Sequence, residues 1–371
     1  MSDLVDYLGA MAKKDASDLY FVPGAPVQIK IDGITRPVAN TMMTPEAIKT
    51  LVYGVMSDKQ KRDLESDLES NFAVSVTGLG RFRVNVYYQR GQVSVVVRYL
   101  KSNIPSIEDL GLPQKLKDLV LEPRGLILVV GSTGSGKSTT LAAMIQHRAA
   151  QKTGHILTIE DPIEYLHSHD KAIVSQREIG LDTLSYSNAL KNALREAPDV
   201  IMIGEIRDAD TMKHAIAYAD TGHLCMSTLH ANNAYQALER IVNFFPDTAR
   251  KQVLDDLAMN VRGIFSQRLM KGVDGKRLPA CELMLPSPFI VDLIQKGDFE
   301  SVRDTMAQSA DSGMITFEQS VFDAFMAQKI SKDEALRNVD SRGNLQTRIR
   351  LAKVAPGLAS GDLEMDDERF R

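Results

Sequence analysis

The eight residues Gly131 to Ser138 read GSTGSGKS and fit the spacing G-x-x-x-x-G-K-[ST]. Glycines at 131, 134 and 136 permit the backbone turns in which successive N–H groups converge on an anion. Lys137 brings a point charge to the β and γ phosphates of a nucleotide, and Ser138 brings a hydroxyl to a magnesium ion. The apolar run LILVV (126–130) precedes the loop, and the helix-compatible run TTLAAMIQHRAA follows it and offers its positive N-terminal end. Ser132, Thr133, Gly134, Ser135, Gly136, Lys137, Ser138 and Thr139 are therefore the expected cradle for ATP with Mg2+.

Hydrolysis in such a site needs an acid at a neighbouring strand tip and a carboxylate that orients or deprotonates the attacking water. PDVIMIGEIRD (198–208) runs an apolar strand into Glu205, which takes the magnesium-side role beside Ser138. GHILTIEDPIEYLH (154–167) runs a second strand into Glu160, Asp161 and Glu164 around a proline, which breaks a helix and favours an extended Asp161. Glu164 is the candidate water activator, although spacing alone does not choose among the three acids. TGHLCMSTLHANN (221–233) holds His223 and His230 seven residues apart, a poor spacing for a helix-borne metal pair. An imidazole that follows a strand can sense a γ phosphate, which favours His230 over His223.

Phosphoryl transfer also needs positive charge where negative charge develops, often supplied by another subunit. In RFRVNV (81–86) the apolar Phe82, Val84 and Val86 share one strand face, which places Arg81 and Arg83 on the other. Arg98 projects in the same way from VSVVVRYL (93–100).

The elements that must carry these residues fall into distinct textures. Residues 1–102 mix a helical opening with period-two segments broken by Gly or Pro, the pattern of a small α+β domain with antiparallel strands. A proline-punctuated linker spans 103–113. From 114 to 353 apolar strands alternate with helical stretches, the signature of an α/β layer around a largely parallel sheet, with a helical C-terminal part after about residue 285. The segment 354–371 is polar and acidic, with the composition of a disordered tail.

The 371 residues carry 44 Lys plus Arg against 48 Asp plus Glu, a formal charge of −4. Together with the lack of an aromatic and basic stripe, this argues against a nucleic-acid motor. The acidic opening MSDLVDYL is unlike a signal peptide, and no run of eighteen apolar residues occurs, so a cytoplasmic protein without direct membrane insertion is expected. Cys225 and Cys281 are far apart and form no metal motif, so ordinary thiols are expected.

GSTGSGKST, HILTIEDPIEYLH, PDVIMIGEIRD and TGHLCMSTLHANNA resemble, in order, the Walker A, Asp box, Walker B and His box of the type II/IV secretion ATPases. Within that group they resemble in particular the PilT/PilU family of type IV pilus retraction motors. NNAYQALERIVNFFP and the extended tail resemble the PilU branch more than the PilT branch. The resemblance implies a PAS-like N-terminal domain joined to a RecA-like ATPase domain in a hexameric ring at the inner-membrane pilus machinery. It implies that Glu164 is the catalytic glutamate, Glu205 the Walker B glutamate and His230 the nucleotide-facing histidine, with Arg83 and Arg98 acting in trans. It further implies retraction and disassembly of type IV pili through a platform protein, for twitching motility. PFIVDLIQKGDF (288–299) departs from the AIRNLIRE-like segment of PilT-type motors, which points to an accessory ATPase working with a PilT-type partner. The alternative is a nucleotide-gated coupling subunit with little turnover of its own.

Overall fold

The computed structural model describes residues 4–31, 33–100, 103–309 and 312–354. Most of the expected acidic tail, 355–371, lies outside the described residues. The chain divides into two compact units, 1–104 with 153–198 and 105–152 with 199–371, so the grouping changes inside the segment expected to be a linker.

Strands β1 (Asp18–Phe21), β2 (Pro26–Ile31), β3 (Ile34–Met42), β4 (Glu69–Val76), β5 (Gly80–Gln89) and β6 (Gln92–Leu100) belong to the first unit. They form a sheet in the order β3-β2-β1-β6-β5-β4, with every neighbouring pair antiparallel. The amphipathic helices Leu4–Lys13 and Pro45–Tyr53 contribute Leu4, Leu8, Met11, Ile48 and Val52 to the same core as Phe82, Val84, Val86, Val95 and Val97. Each such fully buried side chain stabilises the unit by about 1.5–3 kcal/mol relative to exposure. Alternation then leaves Arg81 and Arg83 on the opposite face of β5, as its sequence predicts. Strand β3 is exposed at nearly every position, so no core imposes alternation on it and its sequence carries no strand signal.

The remaining strands are β7 (Gly125–Val130), β8 (Gly154–Glu160), β9 (Ala172–Glu178), β10 (Val200–Ile203), β11 (Leu224–Leu229), β12 (Val261–Lys271) and β13 (Arg277–Met284). Parallel β8 and β9 belong to the first unit. In the second unit the order is β13-β12-β7-β11-β10. There β7, β10 and β11 are buried at every position and mutually parallel through β11, as apolar runs covered on both faces should be. Strand β12 runs parallel to β7, and β13 returns antiparallel along it, an extension absent from the sequence reading. Helices Pro288–Lys296, Glu300–Gln308, Phe317–Met326, Lys332–Arg337 and Arg342–Val354 supply the helical C-terminal part. Phe317, Val321, Leu345 and Ile349 pack there with Met270 and Ala280 of the β12–β13 hairpin. Both cysteines are buried and free.

Candidate active site

In the second unit the phosphate loop leaves the C-terminal end of β7 and enters the helix Lys137–Gln151 at Gly136, whose φ of 93° is a left-handed value. No side chain caps that helix, so its positive N-terminal end is not masked by a capping residue. Gly131 is equally constrained: a Cβ there would lie 2.4 Å from Ser135 Oγ and 2.5 Å from the Gln267 carbonyl oxygen. Lys137 is buried, and its Nζ donates to the Gly131 and Ser132 carbonyl oxygens at 2.9 and 3.0 Å. The buried Ser135 Oγ has no hydrogen-bond partner. A closed loop with an orphaned hydroxyl, a coiled lysine and an uncapped helix start fits a polyphosphate.

Register explains which histidine joins this loop. Leu229 of β11 pairs with Val130 of β7, so His230 emerges beside Gly131. His223 lies at the other end, where its carbonyl accepts from the Gly125 N–H at 3.0 Å. Glu205 follows β10 on the same C-terminal edge, where parallel sheets place ligands. Its carboxylate lies 3.0 Å from His230 Nε2 and 2.7 Å from Arg207 Nε. Burial, then the nearby Lys137 charge, hold His230 below the ordinary imidazole range against the pull of Glu205. The neutral ring therefore presents an Nε2–H to the carboxylate. Among the described residues no three or more His, Cys, Asp or Glu side chains gather to hold a metal. A magnesium ion would thus rely on the exposed Ser138 hydroxyl, the Glu205 carboxylate, phosphate and water, the oxygen donors that suit it.

The sequence reading passed over two side chains that shape this region. Gln267 on β12 accepts from Thr140 Oγ1 at 2.6 Å, and its Nε2 would be 2.9 Å from a Cβ at Gly136. Glu282 on β13 is fully buried and accepts from the Ala234 N–H at 2.8 Å and Ser266 Oγ at 3.0 Å, so it anchors the helix start that follows His230. Burial pushes its carboxyl up to about 7. A group raised in this way contributes stability that is complete below its unfolded pKa of about 4.5 and is lost as pH rises through about 7. Glu282→Gln keeps an acceptor and cannot ionise. Its melting temperature is therefore expected to gain on the parent by roughly 5 °C between about pH 5.5 and pH 8. Parallel melting curves across that range would remove this assignment.

In the first unit Arg83 and Arg98 are directly opposed partners on β5 and β6, and Asp18 is the register partner of Arg98 on β1. Arg98 Nε pairs with the buried Asp18 Oδ1 at 2.9 Å, which offsets the repulsion between opposed arginines. Arg83, Arg98, Pro162, Ile163 and Glu164 line one pocket. The three acids at the end of β8 are separated by environment. Glu160 is buried, accepts from Thr158 Oγ1 at 2.7 Å and Gln176 Nε2 at 3.1 Å, and is pushed up to about 7 by burial. Asp161 and Glu164 are exposed, and of the three only Glu164 lines the arginine pocket. The sequence reading also passed over Gln176 and Glu178 on β9, a strand whose polar second half (SQRE) hid it.

The fold and the phosphate loop define a P-loop ATPase with a RecA-like domain and a smaller N-terminal α+β domain. Residues 2–338 match the family model described as Type II/IV secretion system protein, and the chain belongs to that family, in its PilT/PilU branch. It is 49% identical over 345 residues to the type IV pilus ATPase PilU of Pseudomonas aeruginosa, covering 93% of this chain and 90% of PilU. It is 39% identical over 333 residues to the type IV pilus retraction ATPase PilT of the same organism, covering 90% of this chain and 97% of PilT. The crystal structure of the pilus retraction motor PilT with bound ADP superposes with a TM-score of 0.87 at 40% identity, covering 94% of this chain and 100% of that one. Among the described residues no helix is long and apolar enough to cross a membrane.

Proposed function

We propose that this chain is an accessory ATPase motor that hydrolyses ATP to power retraction and disassembly of type IV pili in twitching motility. The observation that carries the reading is the convergence on one sheet edge of the phosphate loop, Glu205 and His230, in a chain akin to PilU and PilT over nearly its whole length. Residues 132–139 hold the phosphates, and Ser138 with Glu205 would hold Mg2+, which when bound would neutralise charge at the phosphate oxygens. Glu164 orients the attacking water and accepts its proton, His230 reports the γ phosphate to Glu205, and Arg83 with Arg98 supply positive charge as the bond to the leaving phosphate breaks. Delivery of those arginines from a neighbouring subunit is part of the proposal and rests on resemblance. So do the homohexamer, the PilT-type partner ATPase, the inner-membrane platform protein, and the cytoplasmic location peripheral to that machinery. The same reading divides the chain at 102, 113 and 353.

The departure at 288–299 keeps the coupling-subunit reading in play, since the segment folds as a helix whose Asp292 is spent on an i,i+4 pair with Lys296 and whose Phe289 is exposed. The deciding measurement is steady-state ATP hydrolysis by the purified protein, alone and mixed with a PilT-type ATPase, with and without chelator. The motor reading expects turnover by the protein alone, lost on chelation of Mg2+. A well-formed oligomer with no turnover alone, but altered turnover of its partner, would move the assignment to the coupling subunit.

A further inference from the structure

Strand β9 places Gln176 and Glu178 two residues apart, hence on one face, and both turn to the segment that carries Glu164. Gln176 donates from Nε2 to the Tyr165 carbonyl oxygen at 2.8 Å, and its Oε1 accepts from the His167 N–H at 2.9 Å. Glu178 Oε2 accepts from the Ile163 N–H at 3.2 Å. The backbone is thus held immediately before Glu164, immediately after it, and two residues further on. Segments between strands are usually free to vary, and this one is pinned by side chains of β9 and, at Glu164 itself, by the Glu160 carboxyl at the end of β8.

Glu178 has a second engagement. It is 1% exposed, and its other oxygen, Oε1, makes no hydrogen bond but lies 3.8 Å from Arg83 Nε. Burial raises the Glu178 carboxyl, while the Arg83 guanidinium opposes that shift more strongly than the Ile163 hydrogen bond or the Arg81 charge. A buried carboxylate oxygen without a hydrogen bond carries a desolvation cost that the attraction of the Arg83 guanidinium offsets only in part. Here it ties Arg83 to the backbone amide that precedes Glu164, and both side chains line one pocket.

We propose that Glu178 is a positioning residue for ATP hydrolysis: one oxygen fixes the backbone ahead of Glu164, and the other sets the guanidinium of Arg83, so that a single buried carboxylate couples the water-activating acid of one site to the arginine this chain delivers to a neighbouring site. The inference rests on the roles given above to Glu164 and Arg83. Glu178 touches neither nucleotide nor water in this scheme and acts only through those two groups.

The test uses the full-length protein with Glu178→Gln, Glu178→Ala, Arg83→Ala and Glu164→Gln. Hydrogen–deuterium exchange without nucleotide reads the clamp itself: Glu178→Ala speeds exchange at the Ile163 amide at least about tenfold, and Glu178→Gln, which keeps an acceptor, leaves it protected. Kinetics read the arginine: Glu178→Gln lowers kcat about tenfold with KM for ATP within about twofold, and in an Arg83→Ala background it adds less than about twofold. A merely structural role would not produce that split or that non-additivity. Unchanged Ile163 exchange in folded Glu178→Ala, full kcat in Glu178→Gln, or an undiminished effect in the Arg83→Ala background would each overturn the proposal. Should Glu178→Ala not fold, the Glu178→Gln kinetics and their dependence on Arg83 decide alone. Turnover that survives Glu164→Gln sinks the functional reading instead, and the exchange result then judges the clamp by itself.

Discussion

Lys137→Ala is expected to lower ATP turnover by roughly a thousandfold and to weaken nucleotide binding, while the variant remains folded. The lysine is buried in its own loop, where Nζ satisfies two carbonyl oxygens, so its charge is held close to the backbone N–H groups rather than in bulk water. A phosphate drawn to the uncapped helix end meets that ammonium in a region of reduced dielectric, where a fixed charge acts more strongly than at an exposed surface. Alanine removes the charge and frees both carbonyls to water, so the loss falls on binding and chemistry rather than on the core. Steady-state hydrolysis and titration with a fluorescent nucleotide check this. Turnover within about tenfold of the parent would mean that the loop does not hold the reacting phosphates.

The phosphate loop was legible because its spacing is local: strand, glycines, lysine and helix lie within about thirty residues, and each is dictated by backbone chemistry. His230 is favoured over His223 in the sequence because it follows the strand, and the β7–β11 register sets that end beside the loop by pairing Leu229 with Val130. The arginines were visible as one strand face, but their opposition is a hairpin property: Arg83 and Arg98 meet only because Gln89 pairs with Gln92 at the turn. What the sequence concealed is non-local and polar. Glu178, Gln176, Gln267 and Glu282 sit on strands where an apolar pattern predicts nothing about them, and their partners lie between 9 and 127 residues away. Such groups are recognised by what they satisfy, which only the fold brings together.

The same contrast separates the acids around Pro162 and leads to the second large effect. Glu164→Gln is expected to lower kcat by about a thousandfold with KM for ATP nearly unchanged, because a glutamine still occupies the pocket wall but has no basic oxygen to take a proton from water. Its melting temperature should stay within about a degree of the parent, since Glu164 is exposed and its segment is held by backbone groups, those of Ile163, Tyr165 and His167 and its own bond to the Glu160 carboxyl, which the substitution leaves in place. Glu160→Gln makes the useful opposite. Thr158 Oγ1 and Gln176 Nε2 both donate to Oε1 of the buried Glu160, so an amide there keeps that acceptor but turns the other carboxylate oxygen into a buried donor. That variant is expected to shift stability more than kcat. Both substitutions remove a carboxylate within five residues, yet one should be a kinetic lesion and the other a packing lesion. The reverse pattern, with kcat lost only in Glu160→Gln, would transfer the water to the buried acid, whose pKa of about 7 would then make turnover rise with pH through neutrality.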